Sequence, residues 1–346
     1  MEAITFADHG DRDVIDYTTV PDPDPEPEEV LIDVKAGALN HLDIWTRKGL
    51  PGLELELPHV PGSDAAGVVE SVGSSVTRFD EGDRVAVLAG VSCGRCEHCR
   101  NGHDPLCDTY HIIGEHVPGV HSDKAAVPAD NLTPVPEGVP WSVAAAAPLV
   151  FQTAWRMLVI RADIGPGDIA LIHGATGGVG HAAVQIADHA GAEIIATGGT
   201  DEKLDVVSDL GADHVVNYET DSFKDAVRTL TDGRGVDIVV DHIGEATWDD
   251  SLKCLVKGGA LVTCGATTGG MPETNVNRLF WNQLSIHGST MATLGQADAV
   301  LELVWEGAIE PEIRAELPMS EAAEGHRLLE DREGVGKVVL VPDSEW

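Results

Sequence analysis

Four of the six cysteines are spaced Cys93-x2-Cys96-x2-Cys99-x7-Cys107. Four thiolates on one short loop can close a tetrahedral zinc site, and a site without an open position is structural rather than catalytic. An iron–sulfur cluster and four unligated thiols are the alternatives; a colourless, zinc-containing protein would exclude the first. Cys254 and Cys264 fall on segments expected to be buried. In an intracellular chain such a cluster favours metal over disulfides.

A second signature runs Ile172-His173-Gly174-Ala175-Thr176-Gly177-Gly178-Val179-Gly180, after an apolar run and before a helical one. Gly177 suits a tight left-handed turn, Gly178 lets backbone approach phosphate, and Gly180 permits close helix–strand packing. The helix start then faces a pyrophosphate. Gly174, Thr176, Gly177, Gly178 and Val179 are the expected contacts. The next strand ends Ala196-Thr197-Gly198-Gly199-Thr200 with no acid before Asp201. A ribose-binding carboxylate would mark NAD. Small residues at Gly198, a hydroxyl at Thr200 and a cation at Lys203 favour the 2′-phosphate of NADP(H) over NAD(H). Thr153, Gly265 and Lys337 complete the expected cofactor set.

These groups need two kinds of scaffold. The first ~150 residues carry short alternating runs such as Val30–Val34, Ala66–Val72 and Arg84–Val87, read as strands. Pro21–Pro27 alternates Pro with acids and reads as an exposed extended loop. From Ser142 the pattern changes. A helix is expected over Val143–Ile160, then strands and helices alternate to Cys264, which implies a doubly wound parallel sheet. One helix, Ala297–Glu306, and a closing strand, Lys337–Leu340, are expected to return to the first part. The domains are expected at 1–149 with 293–346, and at 150–292.

There are 58 acidic residues against 22 basic ones, a net charge of −36. The acids are spread along the chain, so disorder explains them poorly. Self-repulsion at this charge weakens a compact state at low salt, whereas near ~1 M salt the screening length falls to about 3 Å. The expectation is a halophile's protein working in a salt-rich cytoplasm. Nucleic-acid partners, which need basic surface, are excluded. No apolar stretch reaches membrane-spanning length, and the start Met1-Glu2-Ala3-Ile4 has no leader-like pattern, so neither a membrane partner nor secretion is expected.

With these motifs in place, the chain resembles the medium-chain dehydrogenase/reductase superfamily. The resemblance rests on Asn40–Asp43, Pro61–Gly67, the four-cysteine loop, Gly174–Gly180 and Gly336–Leu340. It implies an α/β architecture: a GroES-like, mainly-β catalytic domain from both chain ends, and a Rossmann domain between. It also implies hydride transfer between a nicotinamide and a carbonyl, alcohol or activated alkene, in dimers or tetramers built through the Rossmann domains.

Within that family, zinc alcohol dehydrogenases typically read Cys-His-Thr-Asp and Gly-His-Glu where this chain has Asn40-His41-Leu42-Asp43 and Gly62-Ser63-Asp64. Asn40 and Ser63 replace ligands, Leu42 replaces a relay hydroxyl, and the third ligand position falls at Leu149 or Val150. The resemblance therefore turns toward quinone oxidoreductases, which lack catalytic zinc. The expected catalytic residues are Asn40, whose amide would hydrogen-bond the substrate oxygen, with Asp43, Ser63 and the general acid His116. Trp45, Phe151 and Trp281 are candidate walls for a flat substrate. A displaced metal among His41, Asp43, Asp64, Glu115 and His116 is the alternative; otherwise His41 and Asp43 form a supporting hydrogen-bonded pair. The expected function is NAD(P)H-dependent reduction of quinones or conjugated carbonyls. An alcohol dehydrogenase and a non-catalytic NADP-binding protein are the other readings.

Overall fold

The computed structural model describes residues 1–346. The chain divides into two compact units, Met1–Leu149 with Ala292–Glu333 and Lys337–Trp346, and Val150–Met291 with Gly334–Gly336.

The first unit is built on the strand Glu29–Leu39. Asp64–Val72 pairs with it antiparallel on one side. On its other side lie Lys124–Pro128, along its first half, and Lys337–Val341, along its last residues. Arg84–Val87 and Leu132–Pro134 extend the sheet one way and Ile313–Pro318 the other. The short helix Trp141–Ala146 packs its alanines on Ala36, Ala38, Ala66 and Ala86, where small side chains let helix and sheet approach closely. The final segment is richer than expected. Besides the helix Leu294–Trp305 it forms Ile313–Pro318, a helix Ala322–Glu330 and the parallel strand Lys337–Val341. The extra helix contains Gly325, where a Cβ would stand 2.7 Å from Leu39 Cδ1. That glycine lowers helix propensity in the sequence and is there for close packing.

In the second unit six parallel strands run in the order His214–Asn217, Glu193–Gly198, Ile169–Ile172, Val236–Val240, Leu255–Thr263, Ser285–Gly288. Leu171, Ile195, Val239 and Leu261 fill its core. Near-continuous apolar strands are what a sheet covered on both faces requires. The single helix expected over Val143–Ile160 is instead broken. Trp141–Ala146 ends before Pro148–Trp155, and a wider π-helical turn follows over Arg156–Arg161. Pro148 has no N–H to continue the first helix.

No helix of either unit is long and apolar enough to cross a membrane.

Candidate active site

In the first unit, three strand ends converge. Asn40 follows Glu29–Leu39, Asp64 opens the strand beside it, and Lys337 opens the strand on its other side. The register sets Ala38 opposite Asp64 and Leu39 opposite Val338. The Lys337 ammonium donates to Asn40 Oδ1 at 2.5 Å and to Asp64 Oδ2 at 3.0 Å. Asn40 Nδ2 donates to the same Asp64 oxygen at 2.8 Å, and the Leu149 N–H donates to Asp64 Oδ1 at 3.0 Å. The hydrogen-bond partners of the Asp64 carboxyl, namely the Lys337 ammonium, the Asn40 amide and the Leu149 N–H, are all donors, so the ionised form is the one these contacts satisfy. Burial holds Asp64 above the usual carboxylate range, and the Lys337 charge and the Asn40 amide offset only part of that rise.

Asn40 also caps the helix His41–Lys48. Its backbone N–H donates to Asp43 Oδ2 at 2.7 Å, a capping-box contact between N-cap and N3. Asp43 is buried. Desolvation pushes it up to about 7, against the Asn40 N–H and the Lys337 charge, with Asp64 adding to the rise. Its partner is therefore Asn40 and not His41, whose ring stands edge-on to Trp45 at 5.1 Å. Behind this group lies His121, fully buried against Gly37 and Gly62. A Cβ on those glycines would come within 2.8 and 2.4 Å of its ring. Burial lowers His121 to about 4.

Several expectations are corrected here. Asn40 is not an idle amide: Nδ2 serves Asp64 and, at 3.4 Å, the Ala38 carbonyl, while Oδ1 accepts from Lys337. It has no donor left for a substrate oxygen. Ser63 is fully buried and its Oγ donates to the Ile113 carbonyl at 2.7 Å, fastening a loop. Lys337, expected at the cofactor, has its ammonium in this buried cluster at 2 % exposure. The residues named for a displaced metal do not gather; the one group of His, Cys, Asp or Glu with converging ligand atoms is the cysteine cluster. Phe151 is a core side chain, edge-on to His181, and Trp281 is 74 % exposed on a surface helix, so neither is a pocket wall as drawn. His116 is the member of the expected catalytic set that reaches solvent. Its Nδ1 lies 3.2 Å from the Ile112 N–H and 3.4 Å from the Glu115 carboxylate.

The glycine loop of the second unit is a cradle that side chains would fill. The left-handed turn expected at Gly177 belongs instead to Gly174, with φ +58° against −86° at Gly177, and a Cβ on Gly180 would stand 2.1 Å from the Gly174 carbonyl oxygen. The helix Gly178–His189, which carries Val179 in its first turn, starts at Gly177 without a side-chain cap, leaving its first N–H groups for an anion. Thr176 accepts from the Gly336 N–H at 3.0 Å. Asp241 steadies the neighbouring loop: Oδ1 takes the N–H groups of Ile243 and Gly244, and Oδ2 takes the hydroxyls of Thr247 and Ser251. Thr153 lies buried with Oγ1 4.0 Å from Met291 Sδ, and the Gly265 carbonyl accepts from Thr263 Oγ1.

At the end of Glu193–Gly198, Thr200 caps the next helix by accepting the Lys203 N–H at 3.4 Å. Tyr218 belongs here too: its phenol oxygen lies 2.8 Å from where a Cβ on Gly199 would be. Sequence reading missed Tyr218. The glycine pair before Thr200 was its signal, since backbone bare of side chains there leaves room for a ring.

The four cysteines meet as their spacing predicts, with all ligand atoms within 4.8 Å of one another. Cys93 and Cys99 sulfurs are 4.0 Å apart and those of Cys96 and Cys99 3.4 Å. Tetrahedral zinc with bonds of ~2.3 Å needs sulfurs roughly 3.8 Å apart. Backbone N–H groups of Cys93, Cys96 and Cys99 point at Cys107, Cys93 and Cys96 sulfurs. The Cys93 N–H and the Thr109 hydroxyl pull the Cys107 thiol down to about 6.

Family comparison matches residues 26–137 to the alcohol dehydrogenase GroES-like domain and residues 178–306 to the zinc-binding dehydrogenase domain. The chain is 31% identical over 326 residues to acryloyl-coenzyme A reductase of Sulfurisphaera tokodaii, covering 93% of this chain and 95% of that one. The chain belongs to the medium-chain dehydrogenase/reductase superfamily. A quinone oxidoreductase of Pseudomonas aeruginosa is 33% identical to this family member over 98% of the chain and 99% of its own length. The solved structure of an NAD-dependent alcohol dehydrogenase superposes on it with a TM-score of 0.95, at 44% identity over 99% of both chains.

As a medium-chain dehydrogenase/reductase it is an NAD(P)-dependent oxidoreductase with a GroES-like unit and a Rossmann unit. Zinc, which the family implies, fits the four thiolates as a closed structural site. It does not fit the catalytic position. An amide held by an ammonium, a hydroxyl donating to a carbonyl, and leucine stand where its ligands would be.

Proposed function

We propose that the chain is an NADPH-dependent reductase that delivers hydride to quinones or related conjugated carbonyls, with one structural zinc and no catalytic zinc. The observation that carries this reading is the closed Asn40–Asp64–Lys337 cluster, which offers no open position for a Lewis acid. Bound NADPH would supply the hydride. Conjugated acceptors spread the developing charge away from the attacked carbon, so they need less metal assistance than a plain alcohol does. In this reading His116, whose ring meets solvent, is the proton donor among the expected residues. Relatives named quinone oxidoreductase and acryloyl-coenzyme A reductase agree with this class.

NADP(H) is preferred in this reading because the Glu193–Gly198 strand leads into Gly198 and Gly199 where an NAD site would present a carboxylate, with Tyr218 beside Gly199 and Thr200 and Lys203 opening the next helix. Assembly is a homodimer or homotetramer through the second unit. Ser285–Gly288 is an outer strand of its sheet, and Val276, Phe280 and Trp281 nearby are exposed. The charge of −36 supports the reading of a protein that works in a high-salt cytoplasm; equal stability at low and molar salt would contradict that.

A second reading, an alcohol dehydrogenase, is favoured by the 44% identity to the NAD-dependent alcohol dehydrogenase. Turnover at molar salt decides between them. NADPH oxidation by quinones and enones, with about one chelation-resistant zinc per chain, supports the first. Alcohol oxidation lost on chelation, with about two zincs, supports the second. Hydride transfer to none of these acceptors, with NADP(H) still bound, supports a non-catalytic role.

A further inference from the structure

We propose that Lys337 is the fixed cation of the candidate active site, a positioning residue whose ammonium takes the place of a catalytic metal and holds Asn40 and Asp64 in their arrangement. This rests on the reading of a site without catalytic zinc, and its test needs no substrate.

A lysine at 2 % exposure is costly unless its charge is matched. Here it is matched twice, by the Asp64 carboxylate at 3.0 Å and by the Asn40 carbonyl oxygen at 2.5 Å. The ammonium carries three N–H donors, and two are accounted for by these oxygens. Asp43 and His121 face the same charge from the helix cap and from the loop behind Gly62. Two carboxylates and one ammonium thus share a dry space, with His121 neutral. The ammonium's donors are directed at an amide oxygen and a carboxylate oxygen, two ligands a hard cation would take. A divalent ion placed there would meet that charge head-on. Lys337 also fixes the Asn40 amide, since the oxygen faces the ammonium and the nitrogen is left to face Asp64.

The strand position makes this possible. Lys337 is the first residue of an otherwise apolar strand, one register step from the Leu39–Val338 pair. Its backbone N–H is held by the Glu312 carbonyl at 2.8 Å. The side chain is delivered to Asn40 by the sheet itself.

The experiment uses the full chain at molar salt with Lys337→Met, Lys337→Arg and Asp64→Asn/Lys337→Met. Removing the ammonium leaves Asp64 buried without a counter-charge, so it takes up a proton. A carboxyl whose folded pKa lies above its unfolded value stabilises the fold at low pH and loses that contribution as pH rises. The Tm gap between the native chain and Lys337→Met should therefore widen from about pH 5 to about pH 8, reaching on the order of ten degrees. Lys337→Arg should recover most of the loss. The double variant, lacking both charges, should be more stable than Lys337→Met at pH 8, and it serves if the single variant does not fold. The Kd for NADPH should stay within about twofold and zinc at about one per chain. A pH-independent Tm gap with no rescue by Asp64→Asn would overturn the proposal. So would a tenfold rise in the NADPH Kd, which would return Lys337 to the cofactor, or a second zinc in the native chain.

Discussion

Lys337 and Asp64 begin two strands that never pair, yet their side chains meet at 3.0 Å. The strand Glu29–Leu39 runs between them and ends one residue short of Asn40, so the gap it leaves is bridged by side chains instead of backbone. A buried ion pair therefore stands at the point where three strands stop or start, and the candidate site inherits the sheet's rigidity.

Cys107→Ser should lower bound zinc from about one per chain to near zero. Three thiolates and a hydroxyl make a much poorer tetrahedral site. The loop should then become sensitive to trypsin at Arg95 and Arg100, both exposed. NADPH affinity should be unchanged, because the loop belongs to the first unit and the dinucleotide cradle to the second. Zinc analysis with limited proteolysis checks both; unchanged zinc would refute the site.

Asp43→Asn tests the carboxyl pushed up to about 7. Its folded value exceeds the unfolded one near 3.8, so the native chain loses stability as pH rises through that window, and the variant does not. The native advantage over Asp43→Asn should be largest near pH 4 and shrink by on the order of a few kcal/mol by about pH 8. Unfolding midpoints across pH measure it; an advantage that grows with pH would mean that Asp43 is ionised throughout.

Lys203→Ala should raise the Michaelis constant for NADPH about tenfold, near 1.4 kcal/mol, with little effect on NADH. Tyr218→Phe, which removes only a hydroxyl beside Gly199, should act in the same direction by a smaller factor. Steady-state kinetics with the two coenzymes decides, and equal losses for both would remove the 2′-phosphate assignment.

Trp281→Asp should shift the protein toward monomer without altering zinc content. The residue is exposed on the helix Val276–Trp281, beside the outer strand Ser285–Gly288. Light scattering at molar salt measures the mass. A native chain that is already monomeric, or a variant that keeps its assembly, would set this surface aside.

Local chemistry was legible in the sequence. The cysteine spacing and the glycine loop each lie within one short segment, and the parallel strands announce themselves as apolar runs between glycine-rich turns. What was not legible depended on distance along the chain. Asn40 and Asp43 read as a reactive motif, although Asn-x-x-Asp before an apolar stretch is also how a helix begins. Nothing near Lys337 reveals that its partner lies 273 residues earlier. A lysine opening Lys-Val-Val-Leu-Val was the available hint, because lysine is rarely buried unless paired. The helix Ala322–Glu330 was hidden by Gly325, which reads as a breaker and serves as a packing notch for Leu39.

A zinc ion has to be acquired after synthesis and is open to chelators and to exchange for other metals. An ammonium on Lys337 is translated with the chain, present once in every copy and indifferent to metal supply. With a zinc held only by Cys93–Cys107, as proposed, metal starvation would unfasten a loop and leave the charge at the three strand ends in place.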